Sequence, residues 1–172
     1  VLLVQRHPQL KFMGGMWAFP GGRVETFDQP AGSDDPDLAF RAAAIRETRE
    51  ECALSLAPET LHFWAHWVTP SAAPRRFDTR FYLAPAPDQP VVLDLSESVD
   101  YRWLQPAQAV ALSHSRELAI SPPTHFMLED LRLSLEAHGS LAAMLRAESH
   151  RRVPRIVPRL AERSAGGYEA VM

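Results

Sequence analysis

"FRAAAIRETREECALSL", Phe40–Leu56, is the stretch on which the reading of this chain turns. At 100° per residue, a helix from about Pro36 to Ala53 places Leu38, Ala42, Ile45 and Cys52 on one side. Glu47, Glu50 and Glu51 fall nearly opposite, within an arc of about 100°. Arg49 is predicted to project toward the apolar stripe, where it needs to snorkel or find a partner. Carboxylates spaced i, i+3 and i+4 repel one another by about 0.2–0.5 kcal/mol per pair on an exposed helix, so something has to offset them. Arg46, four residues before Glu50, relieves one charge, which makes a solvated, salt-bridged face one reading and a cation site the other.

The residues upstream favour the cation site. Trp17–Phe19 reads as a short strand that Pro20 and two glycines stop, and Thr26–Asp37 as a surface loop. Asp34 or Asp35 then caps the helix, with Pro36 suited to its first turn. A Phe-Pro-Gly-Gly turn leaves backbone carbonyls exposed beside the helix. Hard cations such as Mg²⁺ take several oxygen ligands and keep positions open for water and phosphate. Turn and helix together describe a place where a metal would neutralise a diphosphate and line up a water for its hydrolysis.

The surrounding pattern alternates strands and helices, as in an α/β layer fold. "VLLVQR", Val1–Arg6, reads as a buried strand; Leu61–Pro70 and Arg75–Pro85 as a hairpin; Val99–Leu104 as a further strand. Helices follow from Pro106 to about Leu112, over Thr124–His138 and over Ser140–His150, with Gly139 as the stop between the last two. The segment from Arg152 onward holds too many prolines for a firm assignment. With 172 residues the chain reads as one domain over 1–172, of which about 132–172 form a helical and irregular C-terminal extension.

Composition narrows the function classes. A net charge of −3 gives no bulk attraction to nucleic acid, so no nucleic-acid partner is expected. The single cysteine, Cys52, excludes an internal disulfide and fits a reducing, cytoplasmic setting. No apolar run approaches a membrane span, "VLLVQRHP" reads as neither signal peptide nor anchor, and the lack of an initial methionine marks the sequence as an excerpt. Neither a Gly-x-Ser-x-Gly elbow nor a P-loop is present, which removes serine hydrolase and P-loop readings.

"GGRVE" followed by "RETREECAL" resembles the Nudix box. The family pattern is a glycine, five residues, a glutamate, seven residues, then Arg-Glu-apolar-x-Glu-Glu-x-Gly-apolar. Arg46, Glu47, Glu50, Glu51 and Leu54 match it, and Gly22 supplies the opening glycine. Asp28 stands where the first glutamate belongs, 17 residues rather than seven precede Arg46, Thr48 replaces the apolar residue and Ala53 the glycine. This long box, with an insert at about 29–37, together with "WVTPSAAPRRFDTRFYLA" and "SPPT", is similar to the subgroup of the mammalian peroxisomal coenzyme A diphosphatase and its bacterial relatives.

The resemblance implies a Nudix-type α/β/α sandwich with a mixed β-sheet. It implies a diphosphatase that acts on a small-molecule nucleoside diphosphate derivative, coenzyme A or an acyl derivative, as a monomer or homodimer. Glu50 and Glu51 would ligate Mg²⁺ or Mn²⁺ with the Gly21 carbonyl. Glu47 would ligate or accept the water proton, Glu97 is a second candidate base, and Arg46 would tie the helix to the glycine loop. The alternative is a catalytically silent Nudix-like module that binds or senses a nucleotide.

Other clusters compete with packing. Arg75, Arg76 and Arg80 flank the hairpin strand, where guanidinium forks suit substrate phosphates, or an Arg76–Asp78–Arg80 ladder braces the hairpin. His62 and His66 share a strand face but lack a third zinc ligand. Trp17, Trp64, Trp67 and Trp103 read as core, and Cys52 as a small core residue. The basic stretch Arg146–Arg163 reads as a solvated tail.

Overall fold

The sequence folds around β1, Leu2–Arg6, whose two faces are both buried. A computed structural model describes residues 1–71, 73, 75–148, 152–153, 155–162 and 168–171. In β1, Leu3 packs with Trp17, Ala109, Val110, Leu118 and Leu128, whereas Leu2 and Val4 pack with Cys52 and Leu54. The two-residue period of a strand therefore sends one apolar set to each side of the sheet. β1 pairs antiparallel with β2, Trp17–Ala18, and with β5, Ser98–Trp103, to give the order β2-β1-β5.

A second sheet, in the order β4-β3-β6, is mixed. β3, His62–Val68, pairs antiparallel with β4, Asp78–Leu83, and parallel with β6, Arg155–Ile156. β7, Arg159–Glu162, and β8, Tyr168–Val171, form a separate antiparallel pair. The segment from Arg152 onward thus contains strands that its proline content hid, and several of its residues lie outside those described, as does part of the basic stretch Arg146–Arg163.

Helices cover both sheet faces. α1, Pro36–Cys52, reaches β4 with its N-terminal half, where Asp37 accepts hydrogen bonds from Arg80 (2.8 Å) and Tyr82 (2.9 Å), and reaches β1 with Cys52. On the other side lie α2, Pro106–His114, α3, Pro122–His138, and α4, Leu141–Ala147. α3 spans both sheets: Leu128 joins the β1 cluster, while Met127 and Leu131 pack with Trp64, Ala65 and Met144. This is the expected α/β/α sandwich, with mixed and antiparallel sheets.

The caps follow local chemistry. Asp35 accepts from the Asp37 amide at 2.9 Å, Pro36 opens α1, and Gly139 ends α3 in the left-handed region at φ 72°. Ala53 ends α1 in the same region at φ 56°, with its amide on the Arg49 carbonyl at 2.9 Å. An L side chain is disfavoured there by about 1–2 kcal/mol, which explains why glycine suits this position.

Three expectations need correction. Leu38 is 40% exposed, Ala42 and Ile45 are half-buried and Arg49 is exposed, so of the predicted stripe only Cys52 is fully buried, and Ala39, Ala43 and Glu51 join it. Small alanines let the helix lie close to the body, and the i, i+4 line 39–43–47–51 that they start carries two glutamates inward. Trp17, Trp64 and Trp67 are core, but Trp103 is 47% exposed on an edge strand. Thr26–Asp37 is not all surface loop, because Thr26–Asp28 forms a 3-10 turn with Asp28 buried.

Leu128→Ala, at a fully buried position between the layers, is expected to lower unfolding free energy by about 2–5 kcal/mol, against less than about 0.5 kcal/mol for the exposed Leu133→Ala; chemical denaturation with unchanged slope checks both. Ala53→Gly is expected to stabilise by about 0.5–1 kcal/mol through relief of the left-handed cap, read as a higher denaturation midpoint.

Candidate active site

The carboxylates of α1 meet the glycine bend, where Gly22 leaves room for the Glu47 carboxyl in its observed rotamer. A Cβ on Gly22 would lie 2.3–2.5 Å from the Glu47 carboxyl atoms. Gly21, at φ 152°, donates its amide to Glu51 Oε2 at 3.0 Å. The bend therefore holds Glu51 through an N–H; the expected role of the Gly21 carbonyl concerns a different atom of the same residue.

Arg46 is the hub. Its Nε and Nη2 donate to the two oxygens of Asp28, both at 3.0 Å, and Nη2 also donates to the Arg23 carbonyl at 2.8 Å. Nη1 donates to Glu47 at 2.9 Å and to Glu50 at 2.8 Å. The expected tie from helix to glycine loop is thus present as hydrogen bonds. The Arg46 guanidinium beside Asp28 holds that carboxyl below the usual carboxylate range, and Asp28 in turn pushes the guanidinium pKa up.

Glu51 is different. It is 4% exposed, forms no ion pair among the described residues, and burial pushes its pKa up to about 7, against the opposing hydrogen bond from Gly21. Glu47 and Glu97 raise it further, and Arg6 lowers it. Glu97 is exposed in the loop before β5, which is stapled to the helix end by Asp94 N to the Glu51 carbonyl at 3.1 Å and Val92 N to the Cys52 carbonyl at 3.0 Å.

The carboxylates do not yet form a closed cage. Among the described residues, no three acidic, histidine or cysteine side chains are grouped to hold an ion, because Glu47 and Glu50 turn to Arg46 and Glu51 to Gly21. The donor set still suits a hard cation: these are oxygens, one of them on a buried carboxylate without a cationic hydrogen-bond partner. Two surface clefts, of about 310 Å³ beside Arg41 and Trp64 and about 430 Å³ beside Pro106 and Leu135, lie elsewhere.

The expected arginines separate. Arg80 is engaged at the far end of α1, donating to Asp37 at 2.8 Å, with its guanidinium 4.3 Å from the Phe40 ring centroid. Ten residues of helix, about 15 Å, separate Asp37 from Glu47, so Arg80 braces the sheet against the helix rather than reaching the carboxylates. The Arg76–Asp78–Arg80 ladder is not formed either, since Asp78 pairs with His66 at 2.6 Å. Arg75 and Arg76 are exposed. Their neighbour Phe77 packs on Phe12 at 5.0 Å, which brings that end of the hairpin to the loop following Arg6. Cys52 is fully buried, and burial pushes its thiol up to about 12, so it is a core residue.

Sequence reasoning missed Arg6, which ends β1 with its Nε buried and without a hydrogen-bond partner among the described residues. The available signal was its place at the end of an apolar strand. It also left Asp28 in a surface loop, although counting forward from Gly22 had marked that position.

The model of the NUDT19 Nudix domain family matches residues 53–131. The human (Homo sapiens) acyl-coenzyme A diphosphatase NUDT19 is 38% identical over 76% of this chain and 60% of its own length, and the Gallus gallus protein of that name is 29% identical over 63% and 34%. The chain therefore spans 60% or less of these relatives. A crystal structure of a NUDIX hydrolase from Alicyclobacillus acidocaldarius superposes with a TM-score of 0.65 at 27% identity, over 76% of this chain and 82% of that one. With the Arg-Glu-x-x-Glu-Glu helix packed on its Gly-Gly bend, the chain is similar to Nudix hydrolases in motif, in sequence and in fold.

Proposed function

We propose that this chain hydrolyses a diphosphate linkage in a nucleoside diphosphate derivative, with a divalent cation, and that coenzyme A or an acyl-coenzyme A is its substrate. The observation that carries this reading is Glu51, a buried carboxylate beside Glu47 and Glu97 that no guanidinium or ammonium group among the described residues hydrogen-bonds. A buried charge without a partner is neutralised by a proton or by a cation. Glu47, Glu50 and Glu51, with the Gly21 carbonyl, would hold Mg²⁺ or Mn²⁺. Such an ion supplies offsetting charge to the diphosphate and a lower pKa to water.

The chain's own groups account for the rest. Arg6, whose charge acts on Glu51, would offer its guanidinium to the diphosphate oxygens, and the exposed Arg75 and Arg76 would reach a more distant phosphate of the substrate. Arg80, bound to Asp37, is left out of substrate contact. Water adds to one phosphorus as the bridging P–O bond breaks, and a carboxylate takes the water proton. Of Glu47 and Glu97, Glu97 is the better base: Glu47 is bound by Arg46, whereas the Glu97 side chain is exposed and accepts no hydrogen bond among the described residues. From coenzyme A the products are a phosphopantetheine species and adenosine 3',5'-bisphosphate. The acyl-coenzyme A diphosphatase name of the human relative supports the substrate choice. Among the described residues no helix is long and apolar enough to cross a membrane.

The test is a panel of coenzyme A, acyl-coenzyme A, nucleotide sugars, dinucleoside polyphosphates and NADH with Mg²⁺ or Mn²⁺. Coenzyme A derivatives are expected to turn over fastest, chelation to abolish turnover, Glu51→Gln to lower kcat by at least about 100-fold, and Glu97→Gln by about 10- to 100-fold. Turnover that survives both chelator and Glu51→Gln overturns the reading.

Stability against pH gives a separate check. Without metal, the folded protein binds a proton at Glu51 up to about pH 7, whereas the unfolded chain releases it near the ordinary carboxylate pKa of 4.5. More protons bound in the native state mean that stability falls as pH rises through that window. Metal-free Glu51→Gln is expected to flatten the decline and to be about 1–2 kcal/mol more stable at pH 8, measured by urea denaturation, while adding metal stabilises the parent protein and not the variant.

A further inference from the structure

Phe27 is 72% exposed, the most exposed of the large apolar side chains described. A single exposed phenylalanine is ordinary on a protein surface, so exposure alone decides nothing. Its mounting and position do. Phe27 is the middle residue of the 3-10 turn Thr26–Asp28, in which the Asp28 amide donates to the Glu25 carbonyl at 3.0 Å and Asp28 Oδ2 accepts from the Glu25 amide at 2.7 Å. Asp28 is buried and doubly bonded to Arg46, so the turn is locked to the carboxylate helix. One side of the ring rests 5.3 Å from the Arg46 guanidinium carbon, the same guanidinium that holds Glu47 and Glu50. Val24, 38% exposed, lies on the same segment.

We infer that Phe27 is a stacking platform for the planar heteroaromatic base of the substrate, and so a specificity-determining residue. The inference rests on the hydrolase reading and names which part of the substrate lies over the 3-10 turn. One guanidinium separates the ring from the carboxylates, much as one ribose separates a base from its phosphate. The ring has one face on a cation and the other toward solvent, in a turn already fixed, so little ordering entropy is lost when a base stacks there. Stacking is tolerant of base identity; the platform selects for a base over no base and leaves the choice among bases to other contacts.

Two measurements test it on the full chain, with circular dichroism confirming that each variant folds. In the first, hydrolysis of ADP-containing diphosphates is compared with that of an alkyl diphosphate diester lacking a base. Phe27→Ala is expected to raise KM about 10-fold for the former with kcat little changed, to leave the latter unaltered, and to be rescued by Phe27→Tyr. An equal KM for parent and variant, or an equal rise on the substrate without a base, overturns the inference while leaving the hydrolase reading in place. In the second, ADP and inorganic pyrophosphate are titrated calorimetrically with Mg²⁺, which requires no turnover. Phe27→Ala is expected to weaken ADP about 10-fold and pyrophosphate not at all; equal effects on both overturn it even if the chain hydrolyses nothing.

Discussion

One guanidinium organises this end of the molecule. Arg46 joins α1 to the 3-10 turn through Asp28, to the glycine bend through the Arg23 carbonyl, and to two of the helix carboxylates. It sits 18 residues after Asp28 and 23 after Arg23, so without it the long excursion between bend and helix has few reasons to return to one place. Asp28 is 6% exposed, and removing the partner of a buried charge costs about 3–5 kcal/mol, far more than any surface pair contributes. The same side chain meets three carboxylates, Asp28, Glu47 and Glu50, with one positive charge, which leaves a local surplus of two negative charges before Glu51 and Glu97 are considered. Arg46 therefore fixes the geometry of the acidic set without neutralising it.

That imbalance distinguishes the two ends of α1. At the other end of α1, Asp37 is met by Arg41 at 2.6 Å, Arg80 at 2.8 Å and the Tyr82 hydroxyl at 2.9 Å, more donors than one carboxylate needs, and the cluster is closed by Phe40 and Phe63 against the Arg80 guanidinium. The Asp37 carboxylate is balanced there, although the Arg80 Nε is buried without a partner among the described residues, and the cluster holds helix to hairpin. Both clusters contain acids and arginines on one helix, yet only the C-terminal one leaves a carboxylate buried with a single backbone donor. The sequence motif and the electrostatic bookkeeping point to the same place independently.

The layers were legible because period and punctuation agree. The β1 run with apolar residues on consecutive positions can only be buried on both faces, and Asp35-Pro36 and Gly139 mark helix ends by chemistry that acts within one turn. Glu47, Glu50 and Glu51 were legible as a set for the same local reason, spacing on one helix. What could not be read was long-range. The inward face of α1 was misassigned because side-chain size pulled the stripe toward Leu38 and Ile45, whereas packing distance was decided by Ala39 and Ala43, and small residues carry a weak hydrophobic signal. Arg80 looked like a phosphate ligand until Asp37, 43 residues away, was found to hold it. Arg6 needed the fold to show that the end of one strand lies beside a glutamate in the middle of the chain.

The misassigned face also explains the glycines. A helix that turned its apolar side inward would leave the bend free to be any tight turn, with Gly21 and Gly22 serving only backbone conformation. Because the alanine line carries Glu47 and Glu51 inward instead, the bend approaches two carboxylates, one that a Cβ at residue 22 would push from its observed rotamer and the other close enough to accept the amide of residue 21. The motif's acids and its glycines then act together: the carboxylates pressed toward the body of the protein are met by backbone, with the Gly21 amide donating to Glu51 and Gly22 leaving space for Glu47. The insert between bend and helix is tolerated because it leaves that contact untouched, being spanned by Arg46 and Asp28 rather than by the length of the connecting chain.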